Sequence, residues 1–322
     1  MKKLNQNSRL NRQLPFWHRV MAPLLIGVLT VVTVVAQPAQ SGTTGGTPGR
    51  HLAEPARPDL PSLFLIGDST VRNGQGTGTG GQWGWGDVIA PFFDTNRLNV
   101  VNRALGGTSS RTFYRDQWPG VLALLKAGDF VIMQFGHNDG SAINDTSRAR
   151  GSIKGVGDKT QAIDNLITKK PEMVHSFGWY EKQMIAEARA KGASPMVCSL
   201  IPRNNWKNGA VVRNKNDYAG WAAAVARSED VPLLDLNEII ARRYDQFGQD
   251  KVKPLFIVGA GPHTSRAGAE TNAICVVAAL KGLGQNPLAG FFSEQAMAVI
   301  PADLSQPAPK PAALAPDRVE PE

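Results

Sequence analysis

Cysteine is nearly absent: Cys198 and Cys275 are the only two in 322 residues. With five histidines and no close Cys/His grouping, the chain gives no support for a metal site. Both cysteines lie in apolar stretches, Met196-Val197-Cys198 and Ile274-Cys275-Val276-Val277. Two readings stand for them, a disulfide or a pair of buried thiols acting as small hydrophobes. A basic stripe is also missing. The formal charge is +8, but Lys2, Lys3, Arg9, Arg12 and Arg19 supply five of those charges within the first 36 residues, leaving +3 beyond them. Nothing in that balance argues for nucleic acid as a partner. The apolar run Met21 to Ala36, at 16 residues, falls short of the roughly 20 needed to span a bilayer. No internal repeat occurs.

What is present at the ends is compositional. A basic, polar stretch precedes the apolar run, and Val34-Val35-Ala36 places a small residue at a cleavage point. Residues 1–36 therefore read as a signal peptide, and the protein as secreted or periplasmic. The alternative is an uncleaved anchor, the one route by which a membrane would be a partner. Residues 37–61 have the Gly, Pro and Thr content of a linker, and 301–322 form a Pro/Ala-rich tail expected to be disordered. A single domain over 62–300 lies between them.

Five short apolar runs punctuate that domain: Leu63 to Ile66, Leu98 to Val101, Phe130 to Phe135, Met196 to Ile201 and Val231 to Leu236. Amphipathic segments follow at Gly178 to Lys191, Asp217 to Arg227, Asn237 to Phe247 and Ala267 to Gly282. Lys191-Gly192 and Lys281-Gly282 read as helix stops. The strand runs carry no polar alternation, which predicts a mostly parallel sheet covered by helices on both faces. The polar stretch Asn138 to Val174 interrupts the pattern and reads as an insertion on the rim of a cleft.

The chemistry gathers at the ends of these runs, where open α/β sheets bind ligands. Gly67-Asp68-Ser69-Thr70 follows the first run and Asn102-Arg103-Ala104-Leu105-Gly106-Gly107 the second. Gly136-His137-Asn138-Asp139 follows the third, and Pro262-His263-Thr264-Ser265 precedes the last helix. A serine, a backbone N–H at a glycine pair, an amide and a histidine are the parts of acyl transfer. Each has a plainer reading: turn serines cap helices, glycine pairs make tight turns, and His137 reads as a structural or neutral cleft histidine.

Together these blocks resemble the SGNH (GDSL-like) hydrolases, and the wording of Gly67 to Thr70, Asn102 to Gly107, Gln134 to Asp139 and His263 to Ser265 resembles the rhamnogalacturonan acetylesterase branch. Phe177-Gly178-Trp179-Tyr180 and Ile201-Pro202-Arg203-Asn204-Asn205-Trp206 fit it too. The resemblance covers about Leu63 to Leu283. It implies a three-layer α/β/α flavodoxin-like fold with a five-stranded parallel sheet. It also implies removal of O-acetyl groups from a pectin-type polysaccharide, with no metal or other cofactor. By position it makes Ser69 the nucleophile, His263 the base, and the Ser69 and Gly107 N–H groups with the Asn138 amide the oxyanion hole.

One position departs from the pattern. The family carries an acid three residues before the histidine, and here that residue is Ala260. A backbone carbonyl, Asp235 or Asp250 would have to orient His263, or the site has lost its chemistry and the protein is a non-catalytic carbohydrate binder. A lipase for long acyl groups would need an apolar groove, which no run suggests. Trp83 stands as a sugar-stacking candidate, Trp85 reads as packing, and Arg103, Arg111 and Arg203 stand as ligands for uronate carboxylates or as solvated surface.

Overall fold

The computed structural model describes residues 52–307. The expected signal segment, most of the linker and the tail beyond 307 lie outside the described residues. The strands are β1 (Ser62–Gly67), β2 (Asn99–Asn102), β3 (Phe130–Gln134), β4 (Thr160–Asp164), β5 (Pro171–His175), β6 (Ser194–Cys198), β7 (Trp206–Lys207), β8 (Ala210–Val211) and β9 (Leu233–Leu234). The α-helices are α1 (Ser110–Asp116), α2 (Trp118–Leu122), α3 (Phe177–Ala190), α4 (Tyr218–Ser228), α5 (Leu236–Phe247), α6 (Gln249–Val252), α7 (Arg266–Lys281) and α8 (Glu294–Met297).

Five strands pair in the order β2-β1-β3-β6-β9, all parallel. This is the flavodoxin-like order, in which the chain reverses its direction of travel across the sheet between β1 and β3. Alternate residues explain why the runs lacked polar positions. Leu63, Leu65, Phe130, Ile132, Met196 and Cys198 face a core completed by α5 and α7. Phe64, Ile66, Val131, Met133 and Val197 face the opposite core, built with α1, α2, α3 and α4. Each strand is thus buried on both sides, the arrangement of three layers with the sheet in the middle.

Helix starts follow local hydrogen-bond chemistry. Ser176 caps α3 through Trp179 N at 3.1 Å, and Ser265 caps α7 through Gly268 N at 3.3 Å. The stop expected at Gly282 has a different cause from a left-handed cap. Its φ is −79°, and an added Cβ would collide with the Ala302 carbonyl oxygen. Residues beyond Ile300 run on across the helices, with Ala302 N bonded to Ala278 O and Arg242 to Gln306 O. Cys198 and Cys275 are separate buried thiols, and burial pushes the Cys275 pKa up to about 12.

The insertion after β3 contains the antiparallel hairpin β4–β5. It is clamped to α1 by Arg111, whose guanidinium meets Glu172 Oε1 and Oε2 at 2.7 and 2.8 Å. The same side chain donates to Ile143 O and Gly151 O.

Candidate active site

The C-terminal ends of β1 and β3 place Ser69 and Asn138 side by side at the point where strand order reverses. β1 ends at Gly67, whose φ is +154° and whose added Cβ would stand 2.5 Å from Gln134 O. Only glycine allows the chain to turn here against β3. The turn is then fixed by Asp68, which accepts from Thr70 N and Thr70 Oγ1, both at 2.8 Å. Gln134 donates to Thr70 Oγ1 and accepts from the buried Trp85 indole at 3.0 Å. Trp85 is therefore packing, as its sequence context indicated. Burial pushes the Asp68 carboxyl up to about 6, against the two bonds from Thr70.

Ser69 is held upright by this turn, and its Oγ lies 2.8 Å from His263 Nε2. With the ring proton on Nδ1, Nε2 accepts from the hydroxyl, the contact a serine needs to lose its proton during attack. His263 arrives on a loop strapped to the β1 side of the molecule. Trp83 N donates to Thr264 O, and Thr264 Oγ1 donates to Trp83 O, each at 2.9 Å. Burial is the first cause that lowers the His263 pKa, and the Arg203 charge is the second.

Donors stand around the same hydroxyl. The N–H groups of Ser69 and Gly107 make no hydrogen bond to any described residue. Gly107 has φ +87°, a left-handed conformation in which its peptide is free to face the cleft. Asn138 commits one amide hydrogen to Thr108 O at 2.8 Å, which leaves the second for a ligand. Its neighbour Asp139 accepts from Ser110 N and Oγ, Gly136 N and Ser152 Oγ. That carboxylate ties β3, α1 and the insertion together behind the site.

These groups line a cleft of about 710 Å³ that includes Ser69, Gly107, His137, Asn138, Arg148, Arg150, Arg203 and His263. Of the sequence candidates, Ser69, Gly107, Asn138, His263 and Arg203 come together. Arg103 and Arg111 do not. Arg103 is buried and donates to Ala53 O at 3.1 Å, and burial lowers its pKa. Arg111 has no exposed surface and spends its donors on the insertion. Trp83 is half-buried, its ring beneath the Arg266 guanidinium at 5.2 Å, and it serves the His263 loop through its backbone. Asp235 is the N-cap of α5, bonded to Ser199 Oγ at 2.7 Å, and Asp250 is exposed on α6. Neither meets His263. No described residue accepts from His263 Nδ1.

Arg148 and Arg150 are the site residues that sequence reasoning missed. Asp145 Oδ1 accepts from the N–H groups of Ser147, Arg148 and Ala149, which bends the chain so that both arginines reach the cleft. Arg150 Nη1 donates to Gly107 O at 2.8 Å. His137 lies in the cleft wall with both ring nitrogens sealed and unbonded, and burial, Arg203 and His263 push its pKa down to about 3. Among the described residues no group of three or more His, Cys, Asp or Glu side chains is placed to hold a metal ion.

Residues 65–270 match the family described as GDSL-like Lipase/Acylhydrolase. The chain belongs to this family. Membership makes it a carboxylic ester hydrolase, and within the family it resembles the rhamnogalacturonan acetylesterases. It is 29% identical to a rhamnogalacturonan acetylesterase of Emericella nidulans over 223 residues, 69% of this chain and 84% of that one. A probable rhamnogalacturonan acetylesterase of Bacillus subtilis, YesY, is 30% identical over 228 residues, 69% of this chain and 93% of that one. Among solved structures, the Bacillus subtilis protein YxiM superimposes with a TM-score of 0.56 at 25% identity. The match covers 69% of this chain and 56% of the YxiM chain. The family likeness thus spans the sheet and all four sequence blocks.

Proposed function

We propose that this esterase is exported and removes O-acetyl groups from an acidic, pectin-type polysaccharide, with Ser69 as nucleophile. The observation that carries this reading is the 2.8 Å contact between Ser69 Oγ and His263 Nε2, beside two uncommitted backbone N–H groups. Ser69 Oγ attacks the acetyl carbon while its proton passes to His263 Nε2. The negative charge forming on the carbonyl oxygen is met by the Ser69 and Gly107 N–H groups and the second Asn138 amide hydrogen. The bond between the acetyl carbon and the sugar oxygen then breaks, and His263 returns the proton to that oxygen, which leaves as the sugar hydroxyl. Water, deprotonated by the same histidine, cleaves acetyl-Ser69, releases acetate and restores the serine.

The substrate class is supported by the lining of the cleft. It holds Arg148, Arg150 and Arg203 and no carboxylate, and its one apolar side chain is Pro262. Such a surface suits an acetyl group on an anionic chain and gives a long acyl tail nothing to bury. The names of the relatives point the same way.

Acetate release from acetylated rhamnogalacturonan tests the reading. Wild type should release acetate, and Ser69→Ala and His263→Ala should each lose about 10⁴-fold or more in kcat. Activity surviving both substitutions would overturn it. Export is tested by the N-terminus of the mature protein, expected after Ala36 by mass spectrometry.

A further inference from the structure

His263 has two ring nitrogens, and only one of them is accounted for by Ser69. Nδ1 makes no hydrogen bond to any described residue, and unlike both nitrogens of His137 it is not sealed from solvent. The backbone holds the ring instead: His263 N donates to Ala260 O at 3.3 Å, and His263 O accepts from Ile257 N at 3.0 Å. A serine–histidine pair gains much of its power from an acceptor at Nδ1, which fixes the tautomer and stabilises the imidazolium without taking the proton.

Arg203 lines the cleft with His263, and its charge is felt at the imidazole. Its side chain is exposed and has no hydrogen bond or ion pair with another described residue. It lines the same wall as Pro262 and His263, with Nη1 3.4 Å from where a Cβ on Gly261 would lie. The other charged or titratable groups here are Arg148 and Arg150 across the cleft, His137, and Asp68 buried beneath with its Oδ1 on Thr70. The wall thus offers a guanidinium and an N–H donor, and no described carboxylate accepts from Nδ1.

We propose that Arg203 and His263 Nδ1 together form a binding site for a carboxylate, which completes the catalytic apparatus in place of the side chain that Ala260 lacks. The carboxylate comes from the uronate of the substrate or from a small acid in solution. Held by Arg203, it accepts a hydrogen bond from Nδ1–H and takes no proton. This rests on Ser69 and His263 acting as nucleophile and base. It makes the acidity of the substrate a contribution to kcat and not only to KM.

Sodium formate is the probe for the solution source, compared with sodium chloride at equal ionic strength in p-nitrophenyl acetate hydrolysis. Formate should raise kcat/KM about 10-fold, saturably, and move the acidic limb of the pH profile upward, because a carboxylate at Nδ1 favours the imidazolium. Arg203→Gln should abolish that response. Ala260→Asp should raise the formate-free rate and abolish the response, since the acid is then built in. For the substrate source, acetylated pectin with free carboxyls should show a higher kcat than the same pectin methyl-esterified. A response in either arm supports the site and identifies its source. Absence of both, with Ala260→Asp no faster than wild type, overturns it. An active Ser69→Ala would instead sink the serine reading itself.

Discussion

At Gly67 a single hydrogen in place of a methyl group decides whether the chain can turn between β1 and the serine. Gly67→Ala would drive a Cβ into Gln134 O and Val71 Cγ2 from a backbone angle that alanine resists. The expected cost is about 2 kcal/mol or more, read as a fall in the urea midpoint, with esterase activity lost in parallel. On the proposed mechanism His263, as the base, sets the pH dependence. As base it must be neutral, and burial together with Arg203 lowers its pKa below the ordinary 6.5. In buffers without carboxylate, the acidic limb of kcat/KM for p-nitrophenyl acetate should therefore lie below pH 6.5. An acidic limb above that value would show that the imidazole meets an anion already. Asp68 works in the opposite sense. Its folded pKa of about 6 exceeds its ordinary 3.8, so its contribution to stability is full below pH 3.8 and declines as pH rises through 6.

Among the elements, the insertion depends on one buried ion pair. Arg111 is fully buried and Glu172 partly so, with Arg115 and Asn165 also on the Glu172 carboxylate. Arg111→Ala should destabilise the fold by about 3–5 kcal/mol by leaving Glu172 without its main partner. Arg111→Met with Glu172→Gln should recover part of that loss in the same unfolding assay. This pair also marks where the sequence was hard to read. Strands buried on both faces appear as unbroken apolar runs, so β1, β3 and β6 were legible, as were α3, α4, α5 and α7. α1 was not, because it is short and its buried face includes a charged residue, Arg111, whose partner lies 61 positions away. β4 is mostly exposed and has no apolar alternation to show. Ser69, Gly107, Asn138 and His263 were legible because each sits in a compact motif at an element end. Arg148 and Arg150 were not. They reach the cleft through a turn around Asp145 in which Ala149 takes φ +42°, and no local pattern announces that bend.

For the molecule as a whole, net charge is a poor guide to electrostatics. Most of the excess lies in the first 36 residues, whereas the cleft carries its own positive cluster of Arg148, Arg150 and Arg203. Raising NaCl from about 20 to 500 mM, across which screening shortens to a few ångströms, should raise KM for acetylated pectin several-fold. KM for neutral p-nitrophenyl acetate should hardly move. An equal effect on both substrates would remove the arginines from substrate binding.

The strap between Trp83 and Thr264 gives the domain a timing property. Ser69 and His263 are 194 residues apart in sequence, and β1 lies inside the sheet, flanked by β2 and β3. A chain emerging from its N-terminus therefore carries the serine through most of its synthesis with no base within reach. On the proposed Ser69–His263 mechanism, esterase activity should begin only when the segment leading into α7 folds back onto the first loop. Half-made or truncated chains should then be silent, and activity should appear only once the two ends of the domain meet.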